Sequence, residues 1–180
     1  MKPTNTTILE TKRLVLRRFV MEDLKALWAL YCDPEITKYI PDAPKTYEEA
    51  KKELEWHMNG HPSHPEFGLW ATIHKDTGMF IGRCGLLPWT IDGQQEVEVA
   101  YTIARDFWGQ GFGTEAAFSV AQYAFETLKL TRLICMIEPE NKASLKVALN
   151  IGMIFEREME DSMGSYHLYS RRRPPKRETL

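Results

Sequence analysis

Hydrophobic and polar positions change period several times along this chain, and each change marks an element. Residues 13–19 read as a first strand. From Met21 to Cys32 the apolar Leu24, Leu27, Trp28 and Tyr31 recur at i, i+3, i+4 and i+7, which is one face of a helix. Pro34 interrupts it, with a short further turn toward Tyr39, and Pro41 and Pro44 mark a loop. Thr46-Tyr47-Glu48-Glu49 matches a capping box, in which the Thr and Glu side chains satisfy orphan backbone N–H groups. That helix is expected to reach Met58, with Gly60, Pro62 and Pro65 closing it. Two strands, 67–74 and 79–87, follow around a turn at Lys75-Asp76-Thr77-Gly78.

The second half is more regular. A strand at 96–104 leads into a glycine-bearing loop and a helix over 114–128, with Phe118, Ala121, Phe125 and Leu128 on one face. An apolar strand at 132–138 comes next. Asn141 can cap a helix through Leu149, with Leu145, Ala148 and Leu149 inward and Gly152 as the stop. Strands at 154–158 and 166–171 end the pattern. No repeat or low-complexity linker divides it. The expectation is one α/β domain of the α+β kind over 1–172, with a mixed central sheet of six to seven strands flanked by helices, and a basic, flexible tail at 173–180.

Composition narrows the class. A chain of 180 residues can bury a real core, and 43% hydrophobic with 27% charged residues is ordinary for a globular protein. No stretch approaches the ~18 apolar residues of a membrane span. The polar start, Met1 to Glu10, lacks the apolar core of a signal peptide, so a cytoplasmic location is expected. Cys32, Cys84 and Cys135 form no CxxC pair, and reduced thiols are the simplest reading. A net charge of -2 argues against general nucleic-acid binding. The run Arg171 to Arg177 is the local exception, read as a solvated end, with RNA or ribosome association as its alternative.

Three segments carry candidate chemistry. In the strand 96–103, Val97, Val99, Tyr101 and Ile103 take one face, and Glu96, Glu98, Ala100 and Thr102 the other. Two carboxylates on one face fit either an edge strand in water or a cleft in which one acts as a base. Gly109, Gly111 and Gly113 then alternate just before a helix, whose unpaired N–H groups and partial positive charge suit a phosphate. The loop is neither a Walker A sequence nor GxGxxG. Pro139 to Ser144 sits just past a strand end, where ligands of open sheets tend to bind, although on its own Asn141 reads first as a plain helix cap. Gly60 and Pro62 break the helix that would align His57, His61 and His64, and no carboxylate or thiol completes a set, so no metal is expected. Cys135, in an apolar strand, reads as an inert thiol rather than an acyl carrier, and Cys84 lacks a His–Asp pair at recognisable spacing. Trp56, Pro62, Pro65 and Phe67 of the histidine loop, with Trp89 and Tyr166, are candidates for an acceptor wall.

The order of these segments resembles the GNAT acetyltransferase superfamily, and most of all its RimJ/RimL-type branch of ribosomal-protein alanine N-acetyltransferases. The Gln/Arg-x-x-Gly-x-Gly/Ala signature falls on Trp108-Gly109-Gln110-Gly111-Phe112-Gly113, with Trp at the first place. The branch's Glu-x-Gly-Tyr appears as Glu98-Val99-Ala100-Tyr101, its Asn-x-x-Ser as Asn141 to Ser144, and its Leu-Gly-Phe as Ile151-Gly152-Met153. Thr11 to Arg17 is similar to its first strand. The resemblance implies acetyl-CoA as co-substrate and an amine as acceptor, without a metal. The diphosphate would lie on main-chain groups of Gly109, Gln110, Gly111, Phe112, Gly113 and Thr114. The pantetheine arm would pair along Tyr101, Thr102 and Ile103, with Asn141 on its other side. The Tyr101 N–H would face the thioester oxygen, and Ser144 would serve the leaving sulfur. An α-amine (pKa about 8) or a lysine (about 10.4) is mostly protonated at neutral pH, so a base is needed. Glu98 matches the branch position, and Glu96 is its rival. The acceptor stays open among a protein N-terminus, a polyamine, an amino acid and an antibiotic. The assembly stays open between monomer and homodimer. A non-catalytic CoA-binding module is the alternative from another class.

Overall fold

The computed structural model describes residues 7–62, 64–161 and 164–174. Its strands are β1 (Thr7–Glu10), β2 (Leu14–Arg17), β3 (Gly68–His74), β4 (Phe80–Ile91), β5 (Gln94–Ile103), β6 (Arg132–Ile137), β7 (Ile154–Asp161) and β8 (Gly164–Arg172). They form one sheet in the order β1-β2-β3-β4-β5-β6-β8-β7. The helices are α1 (Leu24–Tyr31), α2 (Pro34–Thr37), α3 (Tyr47–Asn59), α4 (Phe112–Glu126) and α5 (Lys142–Asn150). The expected six to seven strands are thus eight among the described residues. β1 was missed because a short, half-polar edge strand has little periodicity. No described helix is long and apolar enough to cross a membrane.

Alternation along the strands separates two cores. Trp70, Cys84, Leu86 and Val99 point to one face and are fully or almost fully buried against α4. There Ala116, Ala117, Val120, Ala121 and Ala124 face the sheet, and their small side chains let the helix pack close. Leu69 and Ala71 point to the other face and meet Phe19, Leu24, Leu27, Ala50 and Leu54 from the α1 and α3 region. Each fully buried Leu, Val or Phe among them contributes about 1.5–3 kcal/mol.

Several expectations shift by a turn or a face. α4 begins at Phe112 rather than Thr114, since Gly111, left-handed at φ 81°, already serves as its N-cap. Phe118, placed on one face with Ala121 and Phe125, is 41% exposed, and Leu149, expected inward, is 53% exposed. At α3 half of the capping box forms: Thr46 Oγ1 accepts from the Glu49 N–H at 3.2 Å, while the Glu49 carboxylate accepts from the Lys45 N–H at 2.7 Å. Arg171, assigned to the basic run, belongs to β8; its guanidinium donates to the Ile151 carbonyl at 2.7 Å and lies 5.4 Å from the centre of the Phe125 ring. Residues 175–180 of the expected tail lie outside the described residues.

Candidate active site

The sheet is antiparallel except where β5 meets β6. That parallel pair registers at Glu98↔Ile134 and no further, whereas β4 and β5 stay in regular register from Ile91↔Gln94 to Gly82↔Ile103. β5 is therefore an interior strand that forks away from β6 past Glu98, which removes the edge-strand reading of its two carboxylates. The Ala104 N–H donates to the Ile81 carbonyl at 2.8 Å and fixes the phase of the β4/β5 ladder. Antiparallel alternation then turns the amides of Ala104, Thr102 and Ala100 to β4, and those of Tyr101 and Ile103 into the fork. Two carbonyls agree: Val99 O accepts from Cys135 Sγ on β6 (3.4 Å), and Ile103 O accepts from Trp108 Nε1 (2.6 Å). The fork opens into a cleft of 1510 Å³ lined by Glu98, Tyr101, Thr102 and Ile103.

The glycine loop closes one end of this cleft. Gly109 and Gly111 both take left-handed φ, 75° and 81°, which side chains resist. The first bond of α4 runs from the Glu115 N–H to the Gly111 carbonyl at 3.0 Å, so the amides of Phe112, Gly113 and Thr114 have no helical partner. Gly109, Gly111, Phe112, Gly113 and Thr114 all line the cleft. Gln110 does not: its side chain donates to the Asp106 carbonyl at 3.1 Å, and its own carbonyl accepts from Arg13 Nη1 at 3.0 Å.

Across the fork, Asn141 caps α5. Its Oδ1 accepts the Ser144 N–H at 3.0 Å, which leaves the amide NH₂ as donor on the cleft wall. The Tyr101 hydroxyl donates to the Ser144 carbonyl at 2.7 Å and ties β5 to α5. Burial pushes the Tyr101 phenol well above its ordinary range, so it stays a donor. Asn141 is thus a helix cap through its oxygen and also part of the cleft wall.

The two carboxylates part company. Glu96 accepts from Arg132 Nε with both oxygens at 3.0 Å, and Arg132 also pairs with Glu156 on β7. It lies outside the cleft lining. Glu98 stands on the cleft wall at the fork's apex. Its Oε2 accepts from Trp89 Nε1 at 2.8 Å, and its Oε1 lies 3.4 Å from the Met136 N–H. Burial raises its pKa to about 7, against the lowering pull of those two donors.

Tyr101 and Glu98 point to opposite faces of the sheet, so the cleft passes through it. On the Glu98 side it is lined by three of the candidate wall residues, Trp56, Trp89 and Tyr166, and by His61. Phe67 instead sits in the core at 4% exposure, and Pro62 and Pro65 fall outside the lining. A buried polar knot was missed here. Glu53 accepts from the Tyr31 hydroxyl at 2.9 Å and from Arg83 Nη1, and His57 Nε2 stands 3.5 Å from it. His57 Nδ1 accepts the Leu69 N–H at 3.1 Å, and burial lowers its pKa, so the ring is neutral with its proton on Nε2. The i,i+4 spacing of Glu53 and His57 was a readable signal; Arg83, inside an apolar strand, gave none. Among the described residues no group of three or more His, Cys, Asp or Glu is placed to hold a metal. Cys84 and Cys135 are buried free thiols whose pKa values burial pushes up, which makes them poor nucleophiles.

Comparison with known proteins accords with this geometry. The chain is 34% identical over 140 residues to the uncharacterized N-acetyltransferase p20 of Bacillus licheniformis, covering 77% of this chain and 78% of that one. Its fold superposes on the microcin C7 self immunity acetyltransferase MccE, solved with acetyl-CoA and AMP, at a TM-score of 0.78 and 15% identity, covering 94% of this chain and 97% of that one. The ribosomal-protein-S5-alanine acetyltransferase of Vibrio fischeri gives a TM-score of 0.73 at 18% identity, over 92% and 96% of the two chains. Residues 13–154 match the acetyltransferase (GNAT) domain, so the chain belongs to the GNAT family of N-acetyltransferases, whose co-substrate is acetyl-CoA.

Proposed function

We propose that this chain transfers the acetyl group of acetyl-CoA directly to a primary amine, with Glu98 as the general base. The observation that carries this reading is the Glu98 carboxylate, poised near neutrality on the cleft wall where β5 and β6 part. The chain's chemistry suits the co-substrate. The free first-turn amides of α4 offer a seat for the diphosphate. The fork-facing amides of Tyr101 and Ile103 offer strand-like pairing to the pantetheine amides. The Tyr101 N–H then stabilises charge developing on the thioester oxygen. Glu98 removes a proton from the incoming ammonium, directly or through water; the freed nitrogen lone pair attacks the thioester carbon, the C–S bond breaks, and CoA leaves as a thiolate that accepts a hydrogen bond from the Ser144 hydroxyl. The Asn141 NH₂ steadies the arm opposite β5. Acceptors of this class include a protein N-terminus and small amines, entering on the Glu98 face. Free cysteines support a reducing, cytoplasmic setting.

The test is Glu98→Gln. With an amine panel that includes peptides starting in Ala or Ser, the variant loses at least about 100-fold in kcat near pH 7, while CoA binding by calorimetry is unchanged. Unaltered turnover refutes the base assignment. Binding of CoA without release of its thiol from acetyl-CoA in the presence of any amine supports the non-catalytic module instead.

A further inference from the structure

The first turn of α4 carries a carboxylate, Glu115, beside the amides that make the proposed diphosphate seat. Left free, that charge would repel the ligand. Three donors from the corner before β2 gather on it instead: the Thr11 hydroxyl (2.6 Å) and the Arg13 N–H (2.9 Å) on Oε1, and Arg13 Nε (2.6 Å) on Oε2. Burial would push the Glu115 carboxyl up, but these hydrogen bonds outweigh it and hold the group ionised and neutralised by Arg13. The same guanidinium lies 4.2 Å from the centre of the Phe112 ring and donates Nη1 to the Gln110 carbonyl at 3.0 Å.

That last contact fixes a peptide plane. In a trans peptide the C=O and the following N–H point in opposite directions. Gln110 and Arg13 lie outside the cleft lining, whereas Gly111 is part of it. With the Gln110 oxygen held on the outer side, the Gly111 N–H is turned inward. The loop is anchored at its other end by the Trp108 bond to Ile103.

We infer that Arg13 is a positioning residue for the donor substrate: from behind the glycine loop it neutralises Glu115 and orients the Gly111 N–H toward the diphosphate. The inference rests on the proposed seat for that group. It predicts a defect confined to donors that carry a diphosphate.

The experiment compares acetyl-CoA with S-acetylpantetheine, which lacks the diphosphate, in wild type, Arg13→Gln and Arg13→Lys. The lysine variant keeps a charge against Glu115 and serves if the glutamine variant does not fold. The expected result is a KM for acetyl-CoA raised about tenfold, the value of one well-aimed donor, with kcat unchanged and S-acetylpantetheine kcat/KM unaltered. The effect persists with 3′-dephospho-acetyl-CoA, which retains the diphosphate. Equal losses with all donors, or no change with acetyl-CoA, overturn the inference. A wild type that binds CoA and acetylates nothing overturns the catalytic reading and leaves this one testable by calorimetry: weaker CoA binding by the Arg13 variants supports it, and equal binding overturns it.

Discussion

Glu98 is held by one strong donor, and Trp89 is the residue that supplies it. That bond favours the ionised form and works against the rise caused by burial. Trp89→Phe removes the donor and keeps most of the ring, so the pKa of Glu98 moves up. The acid limb of the kcat/KM profile, expected near pH 7, moves to higher pH, and activity lost at pH 7 returns by about pH 8.5. An unmoved limb would sever Trp89 from the chemistry. The same carboxyl also costs stability. Its folded pKa lies above the unfolded one, so the penalty is absent below about pH 4.5, grows between 4.5 and 7, and is complete above 7. Glu98→Gln therefore gains up to about 3 kcal/mol in urea denaturation at pH 8, and little at pH 4.5. The pair Glu96 and Glu98 was legible in the sequence as two carboxylates on one face. Choosing between them was not, because the choice depends on Arg132 and Trp89, which arrive from other strands.

Elements were easiest to read where periodicity was strong and hardest where a short polar stretch joined a sheet. The glycine loop and the helix behind it were both visible, yet their junction came two residues late, since the sequence does not announce that Gly111 is the cap. Gly111→Ala tests that junction. A methyl group at φ 81° costs about 1–2 kcal/mol, and the forced change in the loop weakens CoA binding as well. A thermal shift and a CoA titration check the two effects separately. The outward turn of Gln110 belongs to the same scale: among the loop residues expected at the ligand it alone points its carbonyl to Arg13, and that follows from a corner 97 residues away in sequence.

At the scale of the molecule, one cation holds the closed end of the fork. Arg132 on β6 reaches Glu96 on β5 and Glu156 on β7, tying three strands of the sheet. Arg132→Met leaves Glu96, 12% exposed, without its partner, and a loss of about 2 kcal/mol is expected in chemical denaturation. The domain, its two faces and the place of the cleft followed from the order of segments. The sheet order did not, because β8 inserts between β6 and β7 and no local pattern specifies that. The fork itself has a wider consequence. A ladder that stops after Glu98↔Ile134 is a sheet lacking a strand, and on the proposed reading the donor substrate supplies it. Amide exchange at Tyr101 and Ile103 then slows when CoA is added, while Ala100 and Thr102, already paired to β4, change little. A chain completed in this way gains lifetime from its own fuel: where acetyl-CoA is plentiful its melting temperature and resistance to proteolysis rise together, and starvation for the metabolite thins the enzyme as well as idling it.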